Sequence, residues 1–263
     1  MDLGLTNRVA LLAASSRGLG RAVAEELGAE GVSLVLCARG KRALEATAAA
    51  IRARYGVPVL ALSADLGVRG EGKRVAEAGI EEFGKIDILL TNSGGPPPGP
   101  FESLTPEAWD QAYALVLASV VELTAAVLPG MKQRRWGRIL NVTSIAAKQP
   151  VDNLMLSNSI RSAVTGFART LATEVAPFGV TVNNLLPGFT ATERMVELSQ
   201  VTAAKDGITA AQALKKFTAT VPMGRMAEPR EFAALAAFLA SERASYITGQ
   251  SMAVDGGWIR SLL

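Results

Sequence analysis

Ser144, Ser157 and Arg161 are the residues of this chain whose types and spacing point most directly to chemistry. Ser144 follows an apolar strand-like run. Ser157 and Arg161 stand one helical turn apart, so both should leave the same face of a helix. Two hydroxyls and a fixed cation can orient a polar substrate and stabilise a developing oxyanion. They make a poor acid, because a serine hydroxyl is weakly acidic and an arginine keeps its proton at working pH. The chain contains no histidine, which removes His-based triads and most zinc sites, and no metal site is expected.

These side chains need a scaffold, and the patterning describes one. A length of 263 residues suits a single α/β domain spanning 1–263, since sheets wrapped by helices commonly exceed about 200 residues as one unit. Apolar side chains make up 49% of the chain, ample for a core. Residues 8–13, 32–38, 57–63, 86–91, 138–143 and 180–186 form apolar runs nearly free of charge, as strands covered on both faces should. Residues 21–30, 41–55 and 106–133 carry helical spacing between them. The alternation predicts a Rossmann-type, doubly wound parallel sheet of about seven strands. Such sheets bind ligands beyond the carboxyl ends of their strands, where Ser144 lies. Residues 193–225 break the rhythm and are expected to form a small lid insertion. The Pro-rich residues 94–100 read as a rigid loop.

Composition narrows the partners. The 27 basic and 24 acidic side chains leave a net charge of +3. Basic pairs such as Arg134 with Arg135 are scattered like solvated faces, so no nucleic acid is expected. Cys37 is the only cysteine and sits in an apolar run, which excludes an intrachain disulfide. The N-terminus lacks a signal-peptide pattern and no apolar run approaches membrane-spanning length, so the expectation is a cytoplasmic protein with no membrane partner.

After the first strand come Ser15, Ser16, Arg17, Gly18, Leu19 and Gly20, and then a helix. Glycines at such a turn let backbone amides approach a pyrophosphate. The second strand ends at Ala38 and Arg39 without the acidic residue that would accept from a ribose 2′-hydroxyl. Arg39 and Arg17 suit a 2′-phosphate instead, which predicts NADP(H).

In these motifs and in those that follow, the chain resembles the short-chain dehydrogenase/reductases, nearest in pattern to their 3-oxoacyl-acyl-carrier-protein reductases. Residues 13–20 are similar to that family's Thr-Gly-x-x-x-Gly-x-Gly, with Ala14 in place of the first glycine, where its methyl group is expected to crowd the turn or the adenosine. Asp65 and Leu66 follow the third strand, where the family's Asp contacts adenine. Asn92, Ser93 and Gly94 resemble the end of Asn-Asn-Ala-Gly, with Thr91 for its first Asn. Pro187, Gly188, Thr190 and Thr192 look like the loop that holds the nicotinamide amide. Tyr246 to Gln250 and Val254 to Gly257 look like the family's ending, so the resemblance spans nearly the whole chain.

In that family a serine orients the substrate oxygen, a tyrosine donates the proton, a lysine supports the tyrosine and the nicotinamide ribose, and an asparagine completes a relay. Here Ser144 matches the serine. Ser157 stands for the tyrosine, Arg161 for the lysine, and Val116 aligns with the asparagine. Arg161 has three readings: an electrophile on the substrate oxygen with water delivering the proton, a clamp for a carboxylate or phosphate, or a ligand of the ribose hydroxyls alone. Lys148 is a candidate acid if buried, since burial would depress its ammonium, and otherwise a surface lysine. Among the three tyrosines, Tyr55, Tyr113 and Tyr246, Tyr113 lies one turn before Val116 and is expected to pack on a neighbouring helix or subunit.

The resemblance implies reduction of a ketone of 3-oxoacyl type to an alcohol, with attenuated or altered machinery. The alternative is a non-catalytic NADP(H)-binding sensor or inactive subunit. It also implies a homo-oligomer, usually a tetramer, paired through residues 106–133 and 153–176. If Arg39 reads the 2′-phosphate, Arg39→Asp will abolish the preference for NADPH over NADH in fluorescence titrations, whereas an unchanged affinity ratio sinks the assignment.

Overall fold

Buried apolar runs become the strands of one parallel sheet in the computed structural model, which describes residues 2–262. The strands are β1 (Val9–Ala13), β2 (Ser33–Ala38), β3 (Val59–Ser63), β4 (Ile88–Thr91), β5 (Gly137–Val142), β6 (Val180–Pro187) and β7 (Ser251–Val254). They lie in the order β3-β2-β1-β4-β5-β6-β7, every pairing parallel. The order reverses between β1 and β4, which opens a crevice at their carboxyl ends.

Helices cover both faces because successive strand residues point to opposite sides. On one face Leu12, Leu34, Leu36 and Leu140 pack under α1 (Gly18–Ala29), α2 (Lys41–Tyr55) and α9 (Pro229–Ala240), whose Leu27, Ile51 and Phe232 close that core. On the other, Leu11, Val35, Leu89 and Ile139 meet α3 (Glu71–Phe83), α5 (Ser119–Arg134) and α6 (Met155–Val175). Both Leu11 and Leu12 are fully buried, so neither layer is a solvent face.

The structure departs from the sequence expectations in four places. β7 was not among the predicted runs, because it is a short, half-buried edge strand without a continuous apolar pattern. Residues 193–225, expected to form a lid, contain two helices the sequence did not reveal, α7 (Glu193–Asp206) packing on α8 (Ala210–Ala219), and Thr209 with Gln212 forms a capping box that starts α8. Residues 106–133 prove to be α4 (Pro106–Tyr113), a π-turn Ala114–Ala118 and α5, a register change that periodicity does not reveal. Finally, Pro106–Arg134 is long and apolar enough to cross a membrane by length and composition, contrary to expectation. The reason is continuity: the apolar π-turn runs into the apolar start of α5 without a break. One side of this helix, with Leu123, Val127 and Met131, packs on the sheet.

A rung of polar side chains crosses the sheet just before the crevice. Thr91, Asn141, Asn184 and Ser251 are successive register partners on β4 to β7. The Thr91 hydroxyl donates to Asn141 Oδ1 at 2.8 Å, Asn141 Nδ2 to Asn184 Oδ1 at 3.2 Å, and Asn184 Nδ2 to Ser251 Oγ at 3.1 Å. Buried polar groups left unpaired cost more than a made bond gains. Asn141→Ala strands a partner on each side, and denaturant unfolding should show a loss of about 2–4 kcal/mol.

Candidate active site

The glycine turn is built by close packing. Gly18 adopts a left-handed φ of 57°, and a Cβ on Gly20 would collide with the Ala14 carbonyl oxygen. Gly20 therefore lets α1 approach β1 closely. Thr47 of α2 donates to the Ser16 carbonyl at 2.9 Å and pins the turn. Ser15 is wholly buried, its amide and hydroxyl both directed at the Cys37 carbonyl, so its side chain serves the β1–β2 seam. Leu19 is half-buried against the core. α1 begins after Arg17, whose side chain caps nothing, and this leaves the first-turn amides open to an anion.

Ala14 stands at a φ of 50°, a region L-residues avoid. The methyl group thus strains the backbone itself, a more specific effect than the crowding expected from the sequence.

Arg39 follows β2 and is exposed, and its side chain has no partner among the described residues. Lys41 and Arg42 open α2, and no acidic residue sits in that first turn. Two cations at a helix N-terminus oppose the macrodipole, so a phosphate there would relieve them. Sequence reasoning passed over both. Their adjacency to Arg39 was the available signal. The Asp65 carboxylate accepts from the Gly67 amide at 3.0 Å, and Leu66 is buried beside it.

Ser144 follows β5 in extended conformation and caps the short turn Ile145–Ala147, its Oγ accepting from the Ala146 amide at 3.1 Å. That leaves its proton free for another acceptor. Ser157 is half-buried in the first turn of α6.

Arg161, one turn further on, is 6% exposed. It donates through Nη1 to the Val142 carbonyl at 2.9 Å and through Nη2 to the Gly94 carbonyl at 2.6 Å. Its guanidinium therefore bridges the exits of β4 and β5, a contact outside all three roles read from the sequence. Its Nε is buried without an acceptor. Burial, and secondarily the charge of Arg194, push Arg161 down to about 10, so it remains a cation at neutral pH.

Val116 is 2% exposed, in a cluster with Val120 and Val164 that Ile160 flanks. It lies inside the π-turn, and its surroundings are apolar. Lys148 is exposed, so the burial that would have made it an acid is absent. Tyr113 is 54% exposed rather than packed on a helix of this chain, and Tyr246 is fully exposed. Tyr55 packs against Gly28 on α1.

The β6 exit completes the crevice. A Cβ on Gly188 would stand 2.7 Å from Asp255 Cα, which fixes glycine after Pro187. The Thr190 hydroxyl faces the Gly188 carbonyl at 3.4 Å. Thr192, ahead of α7, lies against Gly18, its Cγ2 3.7 Å from where a Cβ would project. The Pro-rich loop is tied down by the Gly99 amide on the Asn153 carbonyl at 2.8 Å. Asn92, Ser93 and Gly94 form the first residues of that crossing.

Comparison with known proteins places this geometry among relatives. The family described as enoyl-(acyl carrier protein) reductase matches residues 13–259. A putative ketoacyl reductase of the monensin polyketide synthase from Streptomyces virginiae is 37% identical over 254 residues, covering 96% of this chain and 97% of the relative. The 3-oxoacyl-(acyl-carrier-protein) reductase FabG of Haemophilus influenzae is 33% identical over 264 residues, covering 96% and 98%. L-Sorbose reductase from Gluconobacter frateurii, solved with NADPH and L-sorbose, superposes with a TM-score of 0.95 at 32% identity, covering 100% of both chains.

Ala14 yields a stability test. The left-handed backbone costs an L-residue about 1–2 kcal/mol, while a glycine loses about 0.4–1 kcal/mol through unfolded-state freedom. The strain is the larger effect, so Ala14→Gly should raise the melting temperature and tighten dinucleotide binding in a titration.

Proposed function

Because the chain belongs to the short-chain dehydrogenase/reductase family, we propose that it is an NADP(H)-dependent reductase of ketones, of 3-oxoacyl type, working with altered catalytic machinery. The observation that supports this reading most is that Ser144 follows β5 and Arg161 of α6, one turn beyond Ser157, donates to carbonyls at the exits of β4 and β5.

The residues fit the cofactor. Gly18 in its left-handed turn, the tight Gly20 packing and the open α1 amides suit a diphosphate, with Ser15, Ser16, Arg17 and Leu19 shaping that turn. Arg39 beside Lys41 and Arg42 suits a 2′-phosphate. Asp65 and Leu66 would border the adenine. Asn92, Ser93, Gly94, Arg161, Pro187, Gly188, Thr190 and Thr192 would border the nicotinamide half. When bound, the cofactor supplies the hydride.

The chain's own residues orient the substrate and stabilise charge. Ser144 Oγ accepts from the Ala146 amide and so can donate to the substrate carbonyl oxygen. Arg161 adds positive potential in a water-poor setting. Ser157 leaves room that a phenol ring would fill, and water supplies the proton. Losing a general acid costs about 10² to 10⁴ in rate, or roughly 3–5 kcal/mol of barrier, which leaves a slow enzyme.

Assembly as a homotetramer and a cytoplasmic place belong to the same reading. The first is supported by exposed apolar side chains such as Tyr113 and Val121 on the long helix, the second by a lone, buried Cys37 without a disulfide.

The deciding experiment is NADPH oxidation against 3-oxoacyl thioesters, diketones and 2-oxo acids. Turnover should be measurable and fall about 10²-fold in Ser144→Ala. NADPH binding without turnover on any substrate would favour the non-catalytic sensor, to which the buried Val116 and the missing phenol lend support.

A further inference from the structure

Two arginines from different helices are held on the same three residues after β4. Arg161 of α6 donates to the Gly94 carbonyl. Arg194, the second residue of α7, donates through Nη2 to the Pro96 carbonyl at 3.1 Å. Between those carbonyls, a Cβ built on Gly95 would stand 3.2 Å from Arg194 Nη2, so the guanidinium lies directly over bare backbone. One cation comes from the floor of the crevice and the other from the lid.

Their charges are poorly matched by the protein. No carboxylate of the described residues lies within ion-pair reach of Arg161, and its Nε is buried without an acceptor. Arg138, the other deeply buried arginine, shows the contrast. It has Glu242 at 3.6 Å and lies over the Trp136 ring at 4.4 Å. Arg194 is partly exposed, and its one acidic contact among the described residues is Glu197 on its own helix at 3.4 Å, a residue that Arg17 also approaches at 3.4 Å. A buried cation without a countercharge is costly, and a second cation beside it adds to the cost. Guanidinium forks match the geometry of carboxylates and phosphates.

We propose that Arg161 and Arg194 together receive an anionic group of the substrate, so that the site takes oxo acids in preference to neutral ketones. This rests on the reductase reading and names its substrate class. A second source of the same anion chemistry is the dinucleotide's diphosphate, because Thr192, two residues before Arg194, lies against Gly18 of the glycine turn.

The test compares 3-oxobutanoate with its neutral methyl ester in NADPH-dependent reduction. The proposal expects kcat/KM at least about tenfold higher for the acid, a ratio near one in Arg194→Met, and recovery of the preference in Arg194→Lys. Equal rates for acid and ester in the parent protein, or an acid preference that survives in Arg194→Met, overturn it. So does an Arg194→Met variant that binds NADPH about tenfold more weakly with its acid preference intact, which assigns the anion to the cofactor. If neither compound turns over, the reductase reading fails separately. Calorimetric binding of the same two compounds to the NADP+-saturated protein then decides the proposal: acid bound over ester sustains it, and no difference overturns it. Melting temperatures of both variants separate loss of the fold from loss of the site.

Discussion

The arrangement of the crevice depends on a buried cation that reaches two strand exits at once. Arg161 spans from α6 to the Val142 carbonyl at the end of β5 and the Gly94 carbonyl beyond β4. A lysine in this place offers a compact point charge, whereas a planar fork can hold two carbonyls in fixed relation. Carbonyl dipoles compensate a buried guanidinium only in part. One side chain therefore links β4, β5 and α6, and the loop Gly94 leads into becomes a shelf on which α7 also rests through Arg194.

The other departures from the family pattern agree with this change. A phenol at position 157 would lie one turn from the guanidinium on the same helix face; serine leaves that space open. Val116 packs with Val120, Val164 and Ile160. Where the resemblance sets the family's acid, lysine and relay, this chain carries Ser157, Arg161 and Val116. Of these Arg161 is a cation of low exposure, and beside them stand a hydroxyl free to donate and a glycine turn strained at Ala14.

Much of the fold was legible because burial leaves a local signature. Residues 41–55 were read as a helix and form α2 with those bounds, since leucine, alanine and isoleucine recur at helical spacing between two glycines. Signals faded where an element owes its form to neighbours. β7 is a short edge strand whose pairing with β6 matters more than its own pattern. The π-turn at Ala114–Ala118 keeps helical composition while shifting register. The polar rung from Thr91 to Ser251 joins residues far apart in sequence, and no local pattern marks any of them as its member.

The sequence by itself determined the fold class and the order of the motifs along the strand ends, because periodicity and turn chemistry act over a few residues. Only the tertiary structure decided what those side chains touch. Arg161 meets carbonyls 19 and 67 residues away in the chain, Lys148 falls on the surface, and Arg194 comes to rest beside Gly95. Each outcome depends on how helices from distant segments dock on the sheet, and the exposure and partners of a charge exist only after that docking.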